Sequence, residues 1–122
     1  MEGYNEKTLK EIKEFLTLHQ GYYYTRIFTN KKATPFYAQI ITKDNQSKIQ
    51  ITTQTRRIFT LPDKLFKDYY ELSIRRENRE EGITKESAKL SQFQVYYFGL
   101  IYWCSFQKEQ PSVEDADRFL DR

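Results

Sequence analysis

Apolar positions along the chain change period twice, and those changes separate helical from extended parts. In Asn5–His19, the residues Leu9, Ile12, Phe15, Leu16 and His19 fall near one face at helical spacing. Lys7, Lys10, Glu11, Lys13 and Glu14 fall mostly on the other, the pattern of an amphipathic helix. Glu6 precedes Lys10 by four residues and is expected to pair with it, and Gly21 is the expected stop. Tyr22–Thr29 is β-branched or aromatic except at Arg26, which suits a strand, and Asn30, Lys31 and Lys32 form a polar connection. Pro35–Thr42 and Lys48–Thr55 then read as a hairpin around Lys43–Ser47, because Asp44 and Asn45 are turn formers. Ile49 and Ile51 alternate with Lys48, Gln50 and Thr52, so one face of this sheet is wet. Thr53–Leu61 either extends that strand or begins another, with Ile58 and Phe59 as its apolar content.

After Leu61 the period becomes helical again. Pro62 and Asp63 suit a helix start, and Leu65, Phe66, Tyr69, Leu72 and Arg76 trace one face. The charged run Arg75–Gly82 closes that helix. Thr84 and Glu86 open another segment, in which Leu90, Phe93, Tyr97, Leu100, Ile101 and Cys104 keep helical spacing. Gln94–Phe106 also has the Tyr, Phe, Ile and Trp content of a strand. Continuity with Lys85–Gln92 favours one long buried helix of about twenty residues. Pro111 and the capping sequence Ser112-Val113-Glu114-Asp115 announce a short last helix with Val113, Ala116, Phe119 and Leu120 as its stripe. The expected fold is α+β: an amphipathic helix, an antiparallel sheet of three or four strands, two longer helices and a short C-terminal helix. With 122 residues and no linker, the chain reads as one domain spanning 1–122.

Composition narrows the class. Aromatic residues make up 16% of the chain, too many for a disordered polypeptide. A single Cys precludes an intrachain disulfide. The start is interrupted by Glu2, Asn5, Glu6 and Lys7, unlike a secretory signal. The longest apolar stretch, Val95–Cys104, is shorter than the roughly 20 residues a membrane span needs. The expected setting is therefore cytoplasmic, or the host cytoplasm if the gene is viral, with no membrane association.

Charge is unevenly placed. Met1–Gln20 carries three Lys against four Glu, a net −1. Gly21–Lys67 carries nine basic residues against Asp44 and Asp63, a net +7. Asp68–Arg122 carries eight basic against eleven acidic residues, a net −3. The basic block coincides with the expected sheet.

Catalytic chemistry has little to stand on. His19 and Cys104 are the sole His and Cys, and each fits a structural position, a helix end and an apolar segment. A structural zinc site normally takes four Cys or His ligands. Metal-dependent phosphodiester cleavage needs converging carboxylates, and the sheet offers Asp44 in a turn. The acids Glu71, Glu77, Glu80 and Glu81 alternate with Arg75, Arg76 and Arg79 as on a solvated helix. Phosphate-cradling glycine loops and the G-x-S-x-G elbow are missing from the sequence. The expectation is a binding protein, not an enzyme, with no metal, no cofactor and no small-molecule substrate.

Two surfaces compete for that role. The first is the basic sheet: Arg26, Lys31, Lys32, Lys43, Lys48, Arg56 and Arg57, with Tyr22, Tyr24 and Tyr37 to stack bases. Tyr22 and Tyr24 share one face and Tyr23 takes the other, so part of this set must pack against helices. The same cations also suit a solvated sheet face without a ligand. The second is helical: Tyr96, Tyr102, Trp103 and Phe106, with Phe119 beyond, are residue types that anchor protein partners or a second copy of the chain.

The stretch Leu100–Asp121 has an aromatic apolar helix, a polar break at Gln110-Pro111 and an acidic helix ending in Leu120-Asp121. In this it resembles the end of siphophage tail assembly chaperones. That resemblance implies a non-enzymatic role in binding tail components, including a tape measure protein. In size and character the chain also resembles virus- or plasmid-encoded accessory proteins, some of which inhibit CRISPR effectors. On that reading a basic protein meets guide RNA, DNA or an acidic protein surface.

Overall fold

The structure is a computed structural model that describes residues 3–25 and 33–111. Helix α1 (Thr8–Leu18) buries Thr8, Ile12 and Leu16. It starts later than Asn5 because local side chains hold a turn before it. The Asn5 carboxamide oxygen accepts from the Lys7 N–H (2.8 Å), and Thr8 Oγ1 accepts from the Asn5 N–H (3.0 Å). Glu6 thus precedes the helix, and the ion pair on this surface is Lys10–Glu14 (4.0 Å) in place of Glu6–Lys10.

Four strands follow as an antiparallel meander in the order β1-β2-β3-β4. They are β1 (Gly21–Tyr24), β2 (Pro35–Lys43), β3 (Gln46–Thr52) and β4 (Ile58–Leu61). The β2–β3 connection is shorter than the sequence suggests. Asp44 and Asn45 form the whole turn with φ of 53° and 63°, the positive values a type I′ hairpin demands. Lys43 accordingly ends β2, opposite Gln46, and is not part of a loop. Between β3 and β4 the chain reverses at Thr53, whose N–H donates to Arg57 O (2.9 Å) and whose Oγ1 accepts from the Arg57 N–H (3.0 Å). Arg56 sits in the left-handed region there, φ 64°, so Thr53–Leu61 turns and starts a new strand.

One face of the sheet meets the helices. Tyr23, Phe36, Ala38, Ile49, Ile51 and Leu61 are fully buried on it. A short 3-10 turn (Asp63–Leu65) leads into α2 (Phe66–Glu77), which buries Phe66, Tyr69, Tyr70, Leu72 and Ser73. The long helix expected next is broken in two. α3 (Ile83–Ala88) ends before Leu90, and α4 (Gln94–Ile101) continues as a π-helical turn, Tyr102–Gln107. Side-chain hydroxyls cause the break. Ser91 Oγ accepts from the Phe93 N–H (3.1 Å) and shares a hydrogen with the Tyr69 hydroxyl (2.7 Å). Ser87 Oγ bonds Thr84 O (2.9 Å) and the Gln94 side chain. Gln94–Phe106 is therefore helical, and its strand-like composition reflects burial.

α4 crosses β1 closely at Gly99. A Cβ there would collide with the Tyr24 carbonyl and stand 3.3 Å from Thr25 Cα. The helix expected from Ser112 onward lies outside the described residues, as does the end of the first strand beyond Thr25. Among the described residues, no helix is long and apolar enough to cross a membrane.

Candidate functional site: the open face of the sheet

Strand alternation places the remaining side chains on the face turned away from the core. The register aligns them in rows. Tyr22, Tyr37, Thr52 and Ile58 form one row across all four strands. Gln39, Gln50 and Thr60 form the next, followed by Ile41 with Lys48 and then Lys43 with Gln46. These residues are half-buried or exposed, whereas the inward-facing Tyr23, Phe36, Ala38, Ile49, Ile51 and Leu61 are fully buried and Ile40 and Phe59 partly so. Ile58 is 64% exposed, high for an apolar residue on a strand. The rings of Tyr22 and Tyr37 meet edge to face at 5.1 Å, so one ring supports the other.

Lys43 and Lys48 lie on this face near the hairpin, and neither makes an ion pair among the described residues. Arg56 is exposed in the Thr53–Arg57 turn at the opposite end. Thr25 and Thr34 are joined at that same end, the Thr25 N–H donating to Thr34 O (2.9 Å). Arg26, Lys31 and Lys32 belong to the segment between them and lie outside the described residues.

Two of the expected site residues behave differently. Arg57 faces the helix-covered side, its guanidinium 5.9 Å from the centre of the Phe59 ring. There it opposes the upward shift that burial imposes on the Tyr96 hydroxyl. Arg57 stays exposed at the edge of that side, because the five-residue turn returns β4 with Arg57 beside the Phe59 ring. The Tyr24 hydroxyl is buried and has no hydrogen-bond partner among the described residues, so that ring tip is closed to solvent.

The aromatic helix residues are committed mainly to packing. Tyr96 meets Phe36 at 5.2 Å and Phe59 at 5.3 Å, both edge to face. Tyr102 and Trp103 contact each other at 5.1 Å, and Phe106 meets Tyr70 at 5.5 Å. All four are half-buried. Phe119 lies outside the described residues.

The single thiol and imidazole are separated by role. Cys104 is buried, and burial pushes its thiol up to about 12, so it is protonated at neutral pH and a poor nucleophile. Its polar partner is the Tyr23 hydroxyl, raised by burial and by the Cys104 sulfur, which donates to the His19 carbonyl (2.6 Å). The His19 ring packs on Phe15 at 4.5 Å. Among the described residues, no group of three or more His, Cys, Asp or Glu is placed to hold a metal ion.

Gln39, Ile41, Gln50, Thr52, Ile58 and Thr60 complete the face and were not singled out from sequence as binding candidates. The signal was the Ile49/Ile51 alternation, which puts Gln50 and Thr52 outward and, through the register, Gln39 beside them. Comparisons with protein-family models, curated proteins and solved structures return no match.

Proposed function

We propose that the protein acts by binding, without catalysis, and that the open sheet face takes a single-stranded nucleic acid. The observation that carries this reading is the sharing of one face by the Tyr22–Tyr37 pair with Lys43 and Lys48, which make no ion pair among the described residues. Aromatic rings stack any base for about 1–3 kcal/mol each, and cations follow the phosphates. Occlusion of host nucleic-acid machinery is the use such a surface would serve in a virus- or plasmid-encoded accessory protein.

Fluorescence anisotropy with labelled single-stranded DNA and RNA at increasing salt tests the reading. Binding is expected to weaken steeply with salt, and Lys43→Ala with Lys48→Ala to flatten that slope. Tyr37→Ala is expected to weaken binding about 5- to 150-fold. Absence of binding at low salt, or an unchanged Tyr37→Ala, overturns it. The tail-assembly role implied by the C-terminal resemblance gives the contrary outcome. There a protein component is captured in place of nucleic acid, and Trp103→Ala rather than Tyr37→Ala releases it.

A further inference from the structure

We infer that Gln39 and Gln50 read base edges on this face and select adenine within the bound strand. The inference rests on the nucleic-acid reading proposed above and adds a sequence preference to it.

Gln39 and Gln50 are direct cross-strand partners at the centre of the face. Both are half-buried, and neither carboxamide hydrogen-bonds another side chain or the backbone among the described residues. The contrast with Gln20 is direct, since its carboxamide oxygen accepts from the Ile40 N–H (2.9 Å). The polar atoms of Gln39 and Gln50 still reach water. A ligand that covers them is favoured when it presents the complementary pair, because an amide covered without a match loses its hydration without recompense. A carboxamide matches adenine: its oxygen accepts from N6–H while its NH2 donates to N7. Guanine presents two acceptors on the same edge and suits a cation better.

The neighbouring rows supply the rest of a track. Tyr37 stands two residues before Gln39 on β2, and Ile41 two residues after, so the rows are spaced about 7 Å apart. A base stacked on Tyr37 leaves the next base over the amide pair, with Ile41 beneath the one after it. Lys48 and Lys43 then lie beside the phosphates at the hairpin end. The ligand runs along β2 and β3, not across the four strands.

The test is competition binding with homopolymers of adenine, cytosine and thymine or uracil of one length, in DNA and RNA arms. Wild-type protein is expected to prefer the adenine strand by about 5- to 150-fold. Gln39→Leu and Gln50→Leu are expected to bring the adenine strand down to the level of the others. Binding of the other homopolymers should fall less than that of the adenine strand, and the melting temperature should hold. Gln50→Met repeats the test with an unbranched side chain, so that a packing defect is distinguished from a lost hydrogen bond. Equal binding of all homopolymers by wild type, or an adenine preference that survives both substitutions, overturns base selection while leaving stacking intact. Failure to bind any homopolymer overturns the nucleic-acid reading beneath it. The two arms report whether the sugar matters, since the amides address the base alone.

Discussion

The two faces of one sheet differ in how they treat polar atoms. On the helix-covered face, aromatic rings interlock and the hydroxyls of Tyr23, Tyr69 and Tyr97 find partners. Tyr97 stacks on Tyr69 at 4.4 Å and donates to Pro62 O (2.7 Å), while Tyr69 reaches Ser87 O (3.1 Å) and Ser91. On the open face, two amides and two lysines have no side-chain partner among the described residues although the same strands carry them. Buried polar groups are paired because the alternative costs stability. Polar groups that reach water on a half-buried surface cost little, because water satisfies them. The contrast separates what holds the fold from what is offered outward.

Substitutions should divide the same way. The largest loss is expected on the covered face at Tyr97→Ala. It removes a fully buried ring, its stack on Tyr69 and the bond to Pro62, and should cost about 3–5 kcal/mol by denaturant unfolding. A cost near zero would mean that α4 does not pack on α2 as described. Gly99→Ala comes next, at about 1–3 kcal/mol, because the added methyl must push α4 away from the end of β1.

Alkaline pH sharpens the contrast without mutation. Burial raises Cys104 to about 12 from an unfolded value near 9, and it raises Tyr23 and Tyr97 as well. An acid raised in the folded state favours folding below its unfolded pKa, and that contribution is lost as pH climbs toward the folded one. Unfolding midpoints should therefore hold up to pH of about 9 and decline above it. Cys104→Val should moderate the decline, and a flat profile to higher pH would contradict burial of these groups. The smallest effect is expected on the open face, where Gln50→Leu should shift stability by no more than about 0.5 kcal/mol. A larger loss would show that the amide row is structural.

Much of this division was legible in the sequence, and the exceptions have physical causes. The order helix, sheet, helices followed from hydrophobic period, and Ile49 and Ile51 marked their inward face. The long third helix failed because Ser91 is an ordinary polar residue until the Tyr69 hydroxyl arrives from α2 to bond it. Such a long-range bond leaves no local trace. Arg56 and Arg57 diverge for a similar reason. Adjacent arginines look alike until the Thr53 turn puts Arg56 in a left-handed conformation and sends Arg57 to Phe59. The Gln39–Gln50 pair depended on register. A five-residue loop would set Thr42 opposite Lys48, whereas the two-residue turn sets it opposite Ser47. A slip of one residue exchanges the faces of a strand, so the amide row emerges only when the turn is known.

The proposed contact surface is the side of the sheet that no described helix covers. Titration of isotopically labelled protein with a single-stranded adenine oligonucleotide, followed by amide and side-chain NMR shifts, tests it most directly. The account predicts shifts concentrated at Tyr22, Tyr37, Gln39, Lys48, Gln50 and Thr52, with the carboxamide signals of Gln39 and Gln50 moving most. Shifts confined to α2 and α4, or none at any ratio of strand to protein, would contradict it.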